Sequence, residues 1–473
     1  MPLSRRELLT RSSSAGALLL APGITRRGGL LDLPLGTPTS EGAARDSDLL
    51  PGLKLVHADM HNHSLMSDGD GDPAGAFASM RGHGLDVAAL TDHATVGKGL
   101  PRSLCAGDQD CQSLMGIDEA SWARTGELAE QAYDEGSFVA MRGFEWSSPT
   151  LGHMNVWFSE TWTDPLHTGG AGTGEGAGQF LHDEFRHDDV ALPGELTAAI
   201  NDAVSRHGAN AGMRLFYEWL NADPGRPVLG GGADGLAGFN HPGREVGRFG
   251  YFTFDPALRD RVVSLEVFNR KEDYLFEGTD SGVESPIAAC LNAGWRPGLL
   301  GVTDEHGTDW GGEVGKGRGG LWVTDLSRDG VREALAARRF FATNEAGIRL
   351  AVVGRSGDQE AAMGGALTHT TGRVVLEVDV AGPSDWAGRT LGLQVLGAGS
   401  PMPEILDHRS FTVGQGSAPL TVTVPADVDD TRYLIVRITD PDKPIDGRAA
   451  GEYRARGGAI AYASPLYLEA PAG

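Results

Sequence analysis

The sequence predicts an α/β fold, with a mainly parallel sheet in the first part of the chain and an antiparallel β-sandwich after it. Between residues 53 and 341, short apolar runs alternate with helical stretches, a pattern typical of a parallel sheet that is open or closed into a barrel. From about residue 347, apolar and polar residues alternate, as expected for half-buried antiparallel strands. Because 473 residues exceed one ordinary domain, we expect a leader and linker over 1–50, an α/β domain over 51–345 and the sandwich over 346–473.

The strands of the α/β part are predicted from apolar runs at residues 53–60, 85–90, 138–144, 236–240, 262–268, 297–302 and 320–323. One helix is predicted to begin with Asp72 as the N-cap and Pro73 at the first helical position, and to end at Gly84. Two further helices are predicted over 120–135 and 196–207. The predicted strands of the sandwich are 374–380, 391–396, 420–424 and 433–438.

The chain is acidic, with 64 acidic against 40 basic side chains and a formal net charge of -24. Such a surface repels a phosphate backbone, so we expect no nucleic acid polymer as a partner. A small anionic substrate stays compatible with this charge, because bound cations can reverse the field inside a site. Since no apolar stretch is long enough to cross a bilayer, we also expect no stable membrane insertion. The oligomeric state has no signature in the sequence.

The N-terminus has features of an export signal. Arg5 and Arg6 precede a short, weakly apolar run over residues 15–21, which resembles a twin-arginine signal and implies a periplasmic or extracellular protein. The alternative is a disordered basic tail. In an oxidising compartment, Cys105 and Cys111 are close enough in sequence to form a small surface disulfide, which would leave Cys290 as a buried apolar residue.

Residues able to bind a metal collect where the predicted strands end. His61 and His63 are two residues apart after an extended run, so both imidazoles point to the same face. Such a pair is either two ligands of one metal ion or a strand end that is merely rich in histidine. The metal interpretation is favoured by further candidates at or near strand ends, namely Asp68, His93, Glu145, His153, His241, Asp304 and His306. In α/β barrels the carboxyl ends of the strands carry the chemistry, which favours one shared site.

Five motifs, in order along the chain, resemble those of the PHP (polymerase and histidinol phosphatase) superfamily. They are His61-x-His63 with Asp68, Thr91-Asp92-His93, Gly143-Phe144-Glu145, Asn240-His241-Pro242 and Asp304-x-His306. The segments around Glu145-Trp146-Ser147 and Gly152-His153-Met154-Asn155, the run LEVFN at 265–269 and the ending AYASPLY at 461–467 are similar to its CehA/McbA-type metallohydrolases. The resemblance runs from about residue 55 to the end of the chain. It implies a distorted (β/α)7 barrel that uses two or three divalent metal ions for hydrolysis.

Transferred residue by residue, the resemblance implies three metal positions. The first takes His61, His63, Glu145 and Asp304, the second takes Glu145 as a bridge with His153 and His241, and the third takes Asp68, His93 and His306. Imidazole and carboxylate ligands suit Mn, Zn or Fe better than Ca. Glu145 and Asp304 are then the central carboxylates of catalysis, in which a hydroxide shared between two metals attacks the substrate.

Several polar residues are candidates for roles beside the ligands. Asp92 is expected to orient a neighbouring ligand or to cap a helix. Glu266 lies inside an apolar run, and a buried carboxylate there needs a partner, so it either supports a ligand or faces the substrate. Arg244, three residues after His241, is the best placed cation for an anionic substrate, ahead of Lys98 and Arg142. Each of these cations can equally be a surface charge or part of a structural ion pair.

The sequence therefore favours an exported metal-dependent hydrolase, and in particular a phosphoesterase acting on small phosphate mono- or diesters. The alternative is hydrolysis of a carboxyl or carbamate ester, as by the carbaryl hydrolases of the nearer subfamily, in an apolar pocket for which Trp146, Trp157 and Phe158 are candidates. A binding protein without catalysis would be expected to have a defective ligand set, and none of the nine positions is defective. No nucleophile elbow, Walker sequence or dinucleotide fingerprint competes with the metal site.

Overall fold

Parallel and antiparallel strands share one large sheet in the first part of the chain. The structure is a computed structural model that describes residues 43–95, 97–98, 115–148, 151–165, 168, 212–227, 230–244, 248–368, 372–414, 419–426, 431–449 and 451–469. The strands of the first part are β1 (Lys54–Asp59), β2 (Val87–Leu90), β3 (His93–Ala94), β4 (Gly97–Lys98), β5 (Met115–Gly116), β6 (Val139–Ser148), β7 (Gly152–Trp157), β8 (Leu236–Phe239), β9 (Val262–Asn269), β10 (Glu272–Asp273), β11 (Gly298–Val302), β12 (Arg318–Val323) and β13 (Phe340–Thr343). The helices are α1 (Pro73–Gly82), α2 (Glu119–Ala132), α3 (Gly212–Asn221), α4 (Pro286–Asn292) and α5 (Arg328–Ala336).

The strand pairing gives a mixed α/β fold. Strands β1, β2 and β6 run parallel, and so do β8, β9 and β11. Between these two sets lies β7, which is antiparallel to both β6 and β8. A parallel bridge between Asn62 and Glu305 connects the segment after β1 to the segment after β11. Within the described residues, β7 therefore interrupts the all-parallel strand order that a regular α/β barrel has.

Helix α1 lies where the sequence predicts it. The Asp72 carboxylate accepts a hydrogen bond of 2.8 Å from the backbone N–H of Ala74, and Pro73 takes the first helical position. After the helix, Gly84 has a φ of 80°, a left-handed conformation that glycine adopts without strain. Helix α2 overlaps the helix predicted over 120–135. The helix predicted over 196–207, the possible disulfide and the export signal lie outside the described residues.

The antiparallel strands predicted after residue 347 are present. The strands of this part are β14 (Arg349–Ser356), β15 (Gln359–Ala362), β16 (Ala366–Leu367), β17 (Arg373–Ala381), β18 (Thr390–Gly397), β19 (Glu404–Thr412), β20 (Leu420–Pro425), β21 (Tyr433–Asp440), β22 (Gly458–Ala463) and β23 (Leu466–Leu468). The four predicted strands correspond to β17, β18, β20 and β21, and β16 pairs with β23 in parallel. One sheet has the order β15-β14-β17-β20. The other begins with β19, β18, β21 and β22, and continues through β13 and β12 to β1.

The sheet thus runs without a break from the first part of the chain into the second. The predicted boundary between residues 345 and 346 falls between β13 and β14, and β13 pairs with β22 beyond it. One apolar core joins both sides, since Trp322 of β12 packs in the same cluster as Leu350 of β14 and Leu393 of β18. Cys290 on α4 is buried, as predicted.

Among the residues described, none of the helices combines the length and the apolar character that a membrane crossing requires.

Candidate metal centre

The backbone after β1 lies against the backbone after β11, and this pairing forms the floor of the site. The N–H of Asp304 donates to the carbonyl of His61 at 3.0 Å, and the N–H of His63 donates to the carbonyl of Glu305 at 2.9 Å. His61 and His63 are both fully buried, and their Nε2 atoms lie 3.0 Å apart. The two imidazoles therefore converge beside Asp304, as their spacing predicts.

Glu145, on β6, lies at the centre of the histidines. Its Oε1 is 3.2 Å from His61 Nε2, 3.3 Å from His153 Nδ1 and 3.2 Å from His241 Nε2. Its Oε2 is 2.5 Å from His93 Nδ1. His63 Nε2 lies 3.6 Å from the same Oε2, so five imidazoles surround this fully buried carboxylate, whose charge needs such partners. This arrangement suits a carboxylate that bridges two metal ions.

Asp304 faces two kinds of group. Its Oδ1 lies 3.2 Å from His63 Nε2 and 3.5 Å from both His61 Nε2 and His306 Nδ1. Its Oδ2 lies 3.4 Å from a guanidinium nitrogen of Arg244 and 3.3 Å from one of Arg270. One oxygen therefore points to the histidines and the other to two cations.

Asp68 approaches the cluster from the loop between β1 and α1. Its Oδ1 is 3.6 Å from His93 Nε2 and 3.5 Å from His306 Nε2. The ring of His63 stacks on both of those histidines, with centroids 4.2 Å and 4.0 Å away. The loop is held by Asp92, which accepts hydrogen bonds from the N–H of Ser64 at 2.7 Å and from the hydroxyl of Ser67. Asp92 thus orients the loop rather than a neighbouring histidine.

The donor atoms fit divalent metal ions. Within the described residues, three groups have ligand atoms that all lie within 4.8 Å of one another, namely His61, His63 and Asp304, then His93, Glu145 and His153, and finally His63, Asp68, His93 and His306. These groups differ from the predicted sets in that His63 and His93 each belong to two of them. His241 belongs to none of these three groups, but its Nε2 lies 3.2 Å from Oε1 of Glu145, a member of the second group. Imidazole nitrogens and carboxylate oxygens converging at this spacing suit a divalent metal ion.

The electrostatics favour metal-binding protonation states at Glu145 and His63, but not at His61 and His93. Burial alone would raise the pKa of the Glu145 carboxyl, but His93, His61 and His153 hold it well below its usual value. Burial, followed by the positive charge of neighbouring histidines, lowers the pKa of His63 well below its usual value. An ionised carboxylate and a neutral imidazole are the forms in which these groups act as ligands.

Burial alone would lower the pKa of His61, but Glu266 and Glu145 raise it well above its usual value. Against the effect of burial, Glu145 and Asp68 likewise raise the pKa of His93 to about 9. These two imidazoles would therefore lose a proton when a metal binds.

Glu266 contacts the candidate ligands His61 and His241. Its Oε1 lies 2.7 Å from His61 Nδ1, on the side of the ring opposite His63. Its Oε2 accepts hydrogen bonds from the backbone N–H of His241 at 2.7 Å and from the side chain of Asn269 at 2.9 Å. The sequence leaves two roles open for Glu266, support of a ligand or contact with the substrate. These contacts fit support of a ligand.

Two other candidates from the sequence, Arg142 and Trp146, pack against aromatic rings. Arg142 donates to the carbonyl of Trp122 at 3.0 Å and lies over its ring, so it is a packing residue. The side chain of Lys98 is outside the described residues. Trp146 is buried and stacks on Phe216 with centroids 4.4 Å apart.

Sequence reasoning missed Arg270 and Tyr274. Arg270 follows the last residue of β9 and lies 3.3 Å from both Asp304 Oδ2 and His306 Nδ1. The hydroxyl of Tyr274 lies 3.4 Å from Arg244. The rule that polar residues at strand ends share a site, which selected His241, applies equally to Arg270 and would have found it.

The fold and the site together define a class, a mixed α/β protein with a buried histidine–carboxylate centre that fits divalent metals. Over residues 76–165, the chain matches the family described as protein of unknown function (DUF3604). The matched segment contains His93, Glu145 and His153 and covers less than half of the chain. No curated protein matches the chain.

Several solved structures are similar to the chain. A two-domain protein from Bacteroides vulgatus containing a predicted PHP-like metal-dependent phosphoesterase is 16% identical, with a TM-score of 0.40, over 91% of this chain and 100% of that chain. A protein from Bifidobacterium adolescentis, proposed to be a metal-dependent phosphoesterase, is 15% identical, with a TM-score of 0.27, over 59% and 95%. An amidohydrolase from Chromobacterium violaceum, with bound sulfate and no metal, is 16% identical, with a TM-score of 0.25, over 53% and 87%. Similarity at this level transfers neither a ligand nor a reaction.

Proposed function

We propose that this protein is a divalent-metal-dependent phosphoesterase that hydrolyses small phosphate mono- or diesters, with a distorted (β/α)7 barrel of the PHP, CehA/McbA type. The motif resemblance supports the family, and the contacts around Asp304 support the substrate class. A parallel–antiparallel ring of strands linked by the bridge between Asn62 and Glu305 is compatible with a distorted barrel.

The position of Asp304 between histidines and arginines is the observation that carries this proposal. The side chains of Arg244 and Arg270 are 37% and 46% exposed, so both can reach a ligand from solvent. Guanidinium groups match the geometry and charge of phosphate oxygens, and here they lie directly beside the candidate metal ligands. A neutral ester has no anionic oxygen for these two guanidinium groups to bind.

In such an enzyme, the residues of the site would have separate roles. The nine candidate ligands would hold two or three divalent metals, which when bound supply a Lewis acid and lower the pKa of water. Arg244 and Arg270 would bind and orient the phosphate oxygens of the substrate. Glu266 would keep Nε2 of His61 turned toward the centre through its hydrogen bond to Nδ1. Water attacks phosphorus, the P–O ester bond breaks, and the alcohol leaves with a proton.

A carboxyl or carbamate ester is the contrasting substrate. It would require an apolar pocket, and the aromatic residues considered for that pocket are already packed. Trp146 stacks on Phe216, and Trp157 is buried with its indole N–H donating to the carbonyl of Met60 at 3.0 Å. These contacts favour the phosphate ester.

The first experiment measures metal content and hydrolysis on the same preparations. Wild type, His61→Ala and the control His83→Ala would be loaded with Mn, Zn or Fe and assayed with a bis(aryl) phosphodiester and an aryl carbamate. His83 is an exposed histidine at the end of α1, so its loss should change neither metal content nor activity. We expect two to three metals per chain and phosphodiester hydrolysis that His61→Ala abolishes.

Two outcomes would contradict the proposal. Hydrolysis of the carbamate alone would assign the site to the ester-hydrolase alternative. Absence of bound metal in wild type after reconstitution with all three ions would remove the metal centre itself.

We also propose that the chain is exported by a twin-arginine signal. Replacing Arg5 and Arg6 together by lysine should retain the protein in the cytoplasm, because that pathway depends on the arginine pair. The fraction of protein outside the cytoplasm measures this, with the double replacement of Arg26 and Arg27 by lysine as the control. Equal export of both variants would contradict the proposal.

A further inference from the structure

A chain of contacts leads from the C-terminal strands to the candidate substrate arginine. Tyr462, on β22, donates its hydroxyl proton to Asp273 Oδ2 at 2.8 Å. The other oxygen of Asp273 accepts a hydrogen bond of 3.1 Å from the N–H of Leu275 and so caps the 3-10 turn Tyr274–Phe276. That turn places the hydroxyl of Tyr274 within 3.4 Å of Arg244, which in turn lies 3.4 Å from Asp304.

The hydroxyl of Tyr462 is held from its other side by a buried cation. The Nε of Arg437, on β21, donates to this hydroxyl at 2.9 Å, while its Nη1 donates to Gln394 at 2.6 Å. Arg437 is only 1% exposed. Burying a guanidinium is costly, and apolar residues of similar volume would serve a purely structural core as well or better. The guanidinium itself lies 4.0 Å from Asp273 Oδ2, so Arg437 and Tyr462 together fix the position of that carboxylate.

We propose that Tyr462 is a positioning residue, which fixes the placement of Arg244 for the substrate anion through Asp273 and Tyr274. The inference rests on the proposed function, because Arg244 is taken to bind the phosphate group. It also gives the C-terminal part of the chain, after residue 345, a specific role at the site. The ring of Tyr462 packs against Phe268 of β9 with centroids 5.3 Å apart, so removing only the hydroxyl leaves the packing in place.

The test is Tyr462→Phe, with Tyr467→Phe as the matched control. Tyr467 lies on β23 and is also buried, but its hydroxyl donates to the carbonyl of Pro297 at 2.6 Å, whereas that of Tyr462 donates to Asp273. We expect Tyr462→Phe to raise KM for the bis(aryl) phosphodiester by about 3- to 10-fold with kcat almost unchanged, because Arg244 binds the ground state and the transition state alike. The inhibition constant of inorganic phosphate should rise in parallel, whereas metal content and Tm should match those of the control.

A second variant separates positioning from a general structural effect. Tyr274→Phe removes the hydroxyl that touches Arg244 and should raise KM in the same way. If Tyr462 acts through Tyr274, the double variant should be no worse than the worse single variant. Additive effects, a loss in kcat without a change in KM, or equal behaviour of Tyr462→Phe and Tyr467→Phe would overturn the inference.

The result for the wild-type protein tests the proposed function independently of the positioning role of Tyr462. If wild type does not hydrolyse the phosphodiester, that function fails, and calorimetric binding of inorganic phosphate to the metal-loaded protein becomes the test of the inference. Weaker phosphate binding by Tyr462→Phe than by Tyr467→Phe would then support the positioning role, and equal binding would overturn it.

Discussion

Three residues at the site have backbone conformations that residues other than glycine rarely adopt. The φ angles are 23° for His241, 53° for Arg270 and 48° for Asp304. Such conformations cost roughly 1–3 kcal/mol each and persist only where the surrounding contacts enforce them. Here the N–H of Asp304 donates to the carbonyl of His61 and that of Arg270 donates to the carbonyl of Val302 at 3.2 Å. The backbone therefore fixes the direction of these side chains before a ligand binds.

Replacing Glu266 by glutamine should weaken metal binding. The amide keeps the size of the side chain but removes the charge beside His61 Nδ1, and loss of such an outer partner lowers metal affinity by about 10- to 100-fold. Titration of the metal-free protein against a competing chelator measures this. Glu333→Gln, on the exposed side of α5, is the control and should leave the affinity unchanged. Unchanged affinity in Glu266→Gln would show that this carboxylate does not act on the metals.

Replacing Arg270 by glutamine should impair anionic substrates selectively. Losing a charged hydrogen-bond donor should lower kcat/KM for the phosphodiester by about 10- to 100-fold. If the protein hydrolyses a neutral aryl ester, kcat/KM for that substrate should fall much less. Arg259→Gln is the control, because this arginine is 41% exposed and pairs with Asp260. Equal losses on charged and neutral substrates would contradict a role in anion binding.

Among the structural elements, the loop that carries Asp68 depends on one glycine. A Cβ on Gly69 would lie 2.7 Å from the nitrogen of Ser64 and 2.8 Å from the carbonyl carbon of His63, which are both backbone atoms that cannot move aside. The N–H of Gly69 also donates to the carbonyl of Ser64 at 3.0 Å, which closes the loop. Glycine is therefore required here by close approach of the backbone.

Gly69→Ala should displace Asp68 and reduce the number of bound metals by about one per chain, since three ligands define the site that Asp68 completes. Metal analysis of the purified variant measures this. Gly75→Ala on α1 is the control, because nothing lies within 4 Å of the added methyl group. It should bind the full complement and gain up to about 1 kcal/mol in stability, as alanine favours a helix over glycine. A full metal complement in Gly69→Ala would contradict the assignment of Asp68.

The sequence allowed the strands to be predicted better than their directions. Each apolar run chosen as a strand overlaps one, because buried strands are rich in β-branched and apolar residues whatever their pairing. The antiparallel direction of β7 is set by the short connection from β6, and an apolar run does not record it. The nine candidate ligands were found because strand ends and residue type coincide. Tyr274 and Tyr462 were missed because their contacts join residues far apart in the chain.

At the scale of the whole molecule, the two parts share a sheet and a core. Trp322 is fully buried on β12, and its indole N–H donates to the carbonyl of Leu350 on β14 at 2.9 Å. The described residues, which lie between 43 and 469, belong to one compact unit. Loss of packing at this junction should therefore affect both parts together.

Urea unfolding of the purified protein should show one transition, with tryptophan fluorescence and far-ultraviolet circular dichroism coinciding. Trp322→Phe should lower the free energy of unfolding by about 2–4 kcal/mol and move both signals together, because it leaves a cavity and an unpaired carbonyl. Val314→Ala, at a side chain that is 87% exposed, is the control and should change the free energy by less than about 0.5 kcal/mol. Two separate transitions, only one of which shifts in Trp322→Phe, would contradict cooperative unfolding of the two parts.

The pairing of β13 with β22 has a consequence for how the protein is made. Phe341 meets Ala463 in this pair, so the strand nearer the start leaves the ribosome more than a hundred residues before its partner. Until residues 458–463 have been translated, β13 has an open edge and the apolar face beside it stays uncovered, a state prone to association with other nascent chains. The part of the chain that carries the candidate metal ligands therefore cannot complete its sheet until almost the whole polypeptide has been made.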